Sequence, residues 1–352
     1  MVNNKEFSKS NAIPTTFGFE FQAMAGLMLV LENLKEVNRF SIEGPLEDIE
    51  LELNNGNYIY AQVKSKETNT QEKKSNFEKL KEGLSTLNED SKERDAEKLI
   101  YVSNTYYPLG TKKIFESLWP YSSTKSKYKY TDDSFNSIVS NSKKFENLLN
   151  KYSQENPNFK KELFEIYFYK FLNSSYEETK YEVFYKEIEL YISNISKNFG
   201  KYYKDVFSRW YKIIRQSETS RQDYSKKHFL WQLVELLSEK ADIEPFLEYM
   251  ELEDDEFDEF KQSHLSILND IEGRFELSNR ILGKFKDMRD RNELGPVKNR
   301  KFVFISKCWE EFKNEIFSSD NIETEEIIVK YAIWKIIANK KLIQEVRKSG
   351  NI

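Results

Sequence analysis

The sequence predicts an α+β fold, with a mixed sheet flanked by helices in the N-terminal third and a large all-α region after it. Three observations lead there. Glu47-Asp48-Ile49-Glu50-Leu51-Glu52-Leu53 and Tyr58-Ile59-Tyr60-Ala61-Gln62-Val63-Lys64 both alternate with the period of two that marks a strand. Asn54-Asn55-Gly56 between them supplies the positive φ values of a tight hairpin. Beyond about residue 135, Phe, Tyr, Leu and Ile recur at helical spacing between short polar breaks.

The elements follow in order. Residues 1–15 are polar and read as a flexible arm. Phe17, Phe21, Met24, Leu27, Met28 and Leu31 then mark a helix that Thr15 or Thr16 can cap, with Glu20 in its first turn. Arg39 to Glu43 reads as a first strand, followed by Gly44-Pro45 and the hairpin. After a charged stretch from Ser65 to Ser75, a helix runs through Phe77, Leu80, Leu84 and Leu87, and Lys98 to Asn104 has the apolar run of a buried strand. The mixed core ends near Asn104, and Tyr107-Pro108-Leu109-Gly110 closes it or leads to a last helix with Phe115 and Leu118-Trp119, giving a domain of residues 16–135.

The second domain, residues 136–352, is expected to be helical throughout. Its helices are predicted at Phe145–Tyr152, Lys160–Leu172, Glu177–Phe199, Tyr202–Ile214, Lys227–Leu237, Asp258–Phe285, Ser306–Ile316 and Thr324–Val346, with Lys301–Ile305 as a stray strand.

Composition narrows the chemistry. A chain of 352 residues with 32% charged and 15% aromatic residues has the material for two cores and is too rich in Phe and Tyr to be disordered. No apolar run approaches the roughly 20 residues that span a bilayer, and Met1 to Glu6 lacks a basic-then-apolar signal pattern. A single cysteine, Cys308, excludes an internal disulfide and a Cys-based zinc site, and fits a reducing cytoplasm. With only His228 and His264, multi-His metal centres are excluded too, so any catalysis rests on carboxylates, amides and lysines. A net charge of −5 argues against a free-standing, tight nucleic-acid binder, and points to a divalent ion, partner or assembly step that completes such a surface.

Period-two alternation sorts the hairpin onto two faces. Ile49, Leu51 and Leu53 point one way and Asp48, Glu50 and Glu52 the other; Gln62 and Lys64 share the polar face of the second strand. An acid on one strand beside a Gln and a Lys on the next can hold a divalent cation and a water against a phosphate, as a nuclease requires.

Gly18-Phe19-Glu20-Phe21-Gln22 at the first helix, Ile42-Glu43 before Glu47-Asp48-Ile49, and Gln62-Val63-Lys64 together resemble a branch of the PD-(D/E)XK nucleases. That branch supplies double-stranded DNA endonuclease effectors to bacterial antiphage systems, including CBASS and Lamassu. The match covers about residues 16–105, with Lys98 to Asn104 similar to a later core strand, and the helical remainder is most like the Lamassu nuclease subunit. The resemblance implies a restriction-endonuclease-like core that cuts double-stranded DNA with Mg²⁺ (or Mn²⁺). Asp48, Gln62 and Lys64 would be catalytic, with the metal on the Asp48 carboxylate, the Gln62 side-chain oxygen and the Val63 carbonyl. Lys64 would orient the attacking water or stabilise the phosphate, while Glu20, Gln22 and Glu43 would support the ligands, Gln22 matching the motif better than Glu20. Gln62 stands where the wider superfamily has Glu, as is common in this branch. The implied partners are an SMC-like ATPase and an accessory subunit of a defence complex, with a homo-oligomer as the active form.

Other readings compete. Glu50 and Glu52 read as solvent-facing, and the whole hairpin could be an ordinary charged sheet edge within a non-catalytic scaffold subunit. Lys66, Lys204, Arg209 and Lys212 are candidate DNA contacts. The last three lie in a segment running from Lys201 to Lys227, where Tyr202, Tyr203, Trp210 and Tyr211 interleave with basic residues, as an amphipathic helix with solvated lysines also would. Lys284 to Arg291 and Lys298 to Lys301 admit the same two readings. Arg221 and His228 have a spacing that weakly resembles the Arg–His pair of HEPN ribonucleases. The acidic run Glu251 to Glu259 reads as a solvated loop, and Cys308 beside Trp309 as core.

Overall fold

A helix that is apolar on every side needs cover on every side. The first helix, α1 (Ala12–Glu32), is buried continuously from residue 21 to residue 30. Gly26 lets it lie close on the sheet, since a Cβ there would run into the Ile42 side chain. These relations come from a computed structural model that describes residues 12–44, 46–67, 76–120, 122–220, 222–239, 242–253, 257, 274–317 and 322–352.

Strands β1 (Val37–Ile42), β2 (Ile49–Leu53), β3 (Tyr58–Lys64), β4 (Ala96–Ser103), β5 (Lys125–Lys129), β6 (Phe164–Tyr169) and β7 (Tyr224–Ser225) form one sheet in the order β5-β6-β4-β3-β2-β1-β7. β3, β4 and β6 run parallel, and the remaining pairs are antiparallel. The expected hairpin is present, with Gly56 at φ 85° in its turn. The crossover from β3 to the parallel β4 is made by α2 (Phe77–Asp90), whose Leu80, Leu84 and Leu87 are buried in one core with Tyr60, Leu99, Tyr101 and Phe168. Burying each such leucine stabilises the fold by about 1.5–3 kcal/mol. A Cβ at Gly83 would stand 2.9 Å from the Tyr101 ring and 3.1 Å from Gln62 Cγ, so α2 rests directly on the site strand.

The sheet is therefore covered on both faces. Residues expected to look into solvent from the hairpin are mostly enclosed: Glu50 is only 4% exposed, which corrects its reading as solvent-facing. Glu52 is half-buried and accepts a hydrogen bond from Asn38.

The sheet does not end near Asn104. Beyond β4 come a 3₁₀ segment (Lys113–Leu118), β5, then α3 (Asp133–Val139) and α4 (Lys143–Glu155), and then β6, which pairs with β4 deep in the sheet. The helix predicted over Lys160–Leu172 is thus a strand. Its aromatic and β-branched run, Phe164-Glu165-Ile166-Tyr167-Phe168-Tyr169, is buried on both faces and so has no alternation to reveal it. Next come α5 (Glu177–Lys180), α6 (Glu182–Ile195) and α7 (Tyr203–Ser220); α7 packs on α1 and β1. Two compact units result, residues 1–194 with 200–226, and 195–199 with 227–352. The boundary expected at 135 accordingly falls inside the first unit, because β5, β6 and β7 complete the sheet.

The second unit is helical among its described residues: α8 (Lys226–Ser238), α9 (Glu244–Met250), α10 (Arg274–Asp290), α11 (Arg300–Ile316), α12 (Ile322–Ala338) and α13 (Lys340–Gly350). Lys301–Ile305, expected as a strand, lies in α11, where the spacing of Phe304, Ile305, Cys308 and Phe312 buries one face. The helix predicted over Thr324–Val346 divides at Asn339. Residues 1–11, 68–75 and 258–273 and most of the acidic run after Glu253 lie outside the described residues, while Ala12 to Thr15, expected in the flexible arm, already belong to α1. Among those described, no helix is long and apolar enough to cross a membrane.

Candidate active site

Antiparallel pairing of β2 with β3 matches Ile49 to Ala61, which puts Asp48, one residue earlier, beside Gln62. One Asp48 carboxylate oxygen, Oδ2, accepts hydrogen bonds from the Gln62 side-chain amide and from the Val63 backbone N–H, the latter at 2.8 Å. Lys64, two residues along the same face as Gln62, is close enough for its charge to act on Asp48. The register thus brings together Asp48, Gln62, Val63 and Lys64.

The segment that delivers Asp48 is a tight connection from β1 to β2. Ile42 N–H donates to the Ser217 hydroxyl of α7 at 3.0 Å, and Glu43 N–H then donates to the Asp48 carbonyl at 2.8 Å. Glu43 has φ 54°, a left-handed conformation that costs a non-glycine residue on the order of 1 kcal/mol. Gln22 of α1 holds it there, donating to Glu43 Oε1 at 2.6 Å and to the Asp48 carbonyl at 3.2 Å. Glu50 Oε1 accepts from the N–H groups of Leu46 (2.7 Å) and Glu47 (3.2 Å), and Glu47 Oε2 accepts from Asp48 N–H at 2.9 Å. Carboxylates take the place of a strand partner for these amides, so the loop is fixed although it belongs to no ladder.

Burial raises the Asp48 carboxyl above its usual range, the nearby Glu43 charge adds to this, and the Val63 N–H, Lys64 and Gln62 oppose it. Next to it lies a second acidic pair. Burial, then the charges of Asp48 and Asp90, push Glu47 far up, while burial raises Asp90 less. A proton kept on Glu47 would bridge to Asp90 and satisfy Glu47 Oε1 and Asp90 Oδ2, buried atoms that otherwise have no partner.

This donor set fits Mg²⁺. Hard divalent cations take oxygen ligands, and Mg²⁺ is commonly held by one or two carboxylates with waters and substrate completing the shell. Asp48 is a carboxylate whose charge is disfavoured by burial and by Glu43, conditions that a bound cation relieves. A half-turn of the Gln62 amide presents its oxygen in place of its nitrogen. Among the described residues no cluster of three or more His, Cys, Asp or Glu is arranged for a metal, so amide and carbonyl oxygens would have to supplement the carboxylates.

Of the supporting residues, Gln22 and Glu43 join the site and Glu20 does not. Glu20 pairs with Lys180 at 2.5 Å and accepts from the Tyr181 hydroxyl at 3.3 Å. Lys66 follows directly on from the site strand, its N–H bound to Asn104 Oδ1 at 2.8 Å. The basic segment on α7 behaves as an amphipathic helix: Phe207, Trp210, Ile213 and Ile214 are buried, and Tyr211 stacks on Phe207. There Lys204 pairs with Glu178 at 2.7 Å, Arg209 also has an interaction partner, and Lys212 is exposed. In the second unit Lys284 and Arg280 pair with Glu311 and Glu315 of α11. Arg221 lies outside the described residues and His228 is exposed in the first turn of α8. Cys308 is buried against Met288 Sδ at 3.5 Å, a core residue as read.

Sequence reasoning missed Lys79, in the first turn of α2, whose Nζ donates to the Ser65 carbonyl at 2.6 Å. The apolar spacing of α2 shows that Lys79 is off its buried face, but not that this turn lands beside the end of β3.

Set against known protein families, curated proteins and solved structures, the chain matches none.

Proposed function

We propose that the first unit is a metal-dependent endonuclease of the PD-(D/E)XK kind that hydrolyses double-stranded DNA. The observation that carries the reading is the convergence of Asp48, Gln62, Val63 and Lys64 across one hairpin, with Gln22 and Glu43 behind them. Asp48, with the oxygens of Gln62 and Val63, would hold Mg²⁺ (or Mn²⁺), whose chemistry is to activate water and neutralise charge at phosphorus. Lys64 donates to the phosphate or the attacking water and balances the negative charge that grows on the phosphoryl oxygens. Gln22 keeps Asp48 aimed by tying the Glu43 carboxylate to the Asp48 carbonyl. The helical second unit regulates this activity by assembling with partner subunits or with copies of the chain, inside a cytoplasmic defence complex that includes an SMC-like ATPase.

The test is cleavage of covalently closed plasmid at low ionic strength, with Mg²⁺ or EDTA, beside Lys64→Ala and Asp48→Asn. Nicking that needs Mg²⁺ and falls at least a hundredfold in both variants is expected. Equal cleavage by wild type and variants would place the chemistry elsewhere. A chain that stays inert with every candidate partner added would be a scaffold.

A further inference from the structure

Three lysines meet where β3 ends. Lys64 is the last residue of β3, Lys66 lies two residues on, and Lys79 reaches from α2 to the carbonyl of Ser65 between them. Lys79 is half-buried, and its ammonium is disfavoured first by that burial, then by the charges of Lys66 and of Lys64. Lys66 cannot swing away at its backbone, because Asn104 grips both its N–H (2.8 Å) and its carbonyl (2.9 Å). Asn104 is itself fully buried and also donates to the Phe171 carbonyl at 3.1 Å.

Three acidic neighbours are engaged elsewhere. Glu67 accepts from Asn173 at 2.6 Å, Glu78 faces Lys81 at 3.4 Å, and Glu20 is held by Lys180. Lys64 has the Asp48 carboxylate within electrostatic reach, and Glu82 acts on Lys79 more weakly than either lysine does. Among the described residues none of the three lysines has an ion-pair partner. The charges of Lys66 and Lys64 both bear on the Lys79 ammonium, a repulsion that an anion bound among them would relieve. A polyanion brings several charges to such a cluster, where a small ion brings one.

We propose that Lys66 and Lys79 form a phosphate-binding site that grips the DNA phosphodiester adjacent to the one presented to Lys64. Lys79 is thereby a positioning residue: it holds the strand while Asp48 and Lys64 act one phosphate away. The assignment of DNA as the anion rests on the nuclease reading; the anion site itself rests on the three lysines and the Asn104 clamp.

The experiment measures binding without cutting. A short fluorescent duplex is titrated with wild-type chain in EDTA, by anisotropy, from low to moderate salt, beside Lys79→Met, Lys79→Arg and Lys66→Met. Methionine keeps the apolar stem and removes the charge. Each Met variant should bind roughly tenfold more weakly near 50 mM salt, and the slope of log affinity against log salt should flatten by about one. Lys79→Arg should restore both, and thermal unfolding of all variants should match the wild type. An unchanged slope in Lys79→Met, failure of arginine to rescue, or no binding by the wild type at low salt overturns the site. Plasmid cleavage is scored separately: a wild type that binds with these slopes but never cuts loses the nuclease reading and keeps the anion site.

Discussion

Glu47→Gln should change how stability depends on pH. Glu47 is 3% exposed, and burial with the charges of Asp48 and Asp90 raises its carboxyl far above the usual range. In the unfolded chain a glutamate ionises near pH 4.3, whereas burial and its acidic neighbours raise Glu47 to about 9 in the fold. Between those values the folded chain carries a proton that the unfolded chain has released. The contribution to stability is whole below about pH 4.3 and is lost as pH rises toward the folded value, at about 1.4 kcal/mol per pH unit. From pH 6 to pH 8 that amounts to roughly 3 kcal/mol. Glutamine has the same shape, can donate to Asp90, and has no proton to lose. Urea unfolding at pH 6, 7 and 8, followed by far-ultraviolet circular dichroism, should show wild type losing about 3 kcal/mol relative to the variant across that range. Parallel pH dependences would mean that Glu47 is ionised in the fold and that the shared-proton account is wrong.

Asn104→Ala removes three hydrogen bonds from a residue with 0% exposure and strands the backbone groups of Lys66 and Phe171, so it should destabilise the first unit by about 2–4 kcal/mol in a denaturant melt. A loss below 1 kcal/mol would show that water takes over these groups. Gln22→Leu keeps the volume of the side chain but removes its donors to Glu43 and Asp48. If the proposed nuclease is active, plasmid cleavage should fall about 10–100-fold while circular dichroism stays native, and undiminished cleavage would remove Gln22 from the proposed site.

The hairpin and its two flanking helices could be read from the sequence because their signals are local. Asn54-Asn55-Gly56 dictates the turn, and the spacing of Leu80, Leu84 and Leu87 dictates which face of α2 is apolar. β6 could not be read, since a strand covered on both faces loses its alternation and looks like a short helix. The burial of Glu50 was hidden for a related reason: alternation separates the two faces of a strand but does not say that α2 closes over the second. Gln22 and Glu20, two residues apart, lie on different sides of α1, and only the packing of α1 against Lys180 and Tyr181 on one side and the Glu43 turn on the other separates their roles. Lys79 depends on where α2 crosses the sheet, which is tertiary information.

The strand order also sets a schedule for folding. β2 and β3 are neighbours in sequence and can pair as soon as they are made, but β4 gains its second partner only when β6 arrives, and Phe40 pairs with Tyr224 only after the whole first unit has been synthesised. Ile42, which leads into the Glu43 turn, likewise waits for Ser217. Loops this long close slowly. On a ribosome, the hairpin with Asp48 and Lys64 and the Gln22, Glu43, Glu47 and Glu50 contacts of the Asp48 loop would emerge early, while the Ser217 bond and the β1–β7 pairing would form near the end. A nascent or truncated chain would thus hold every residue of the site while still lacking the Ser217 anchor and the β7 edge that close this end of the sheet.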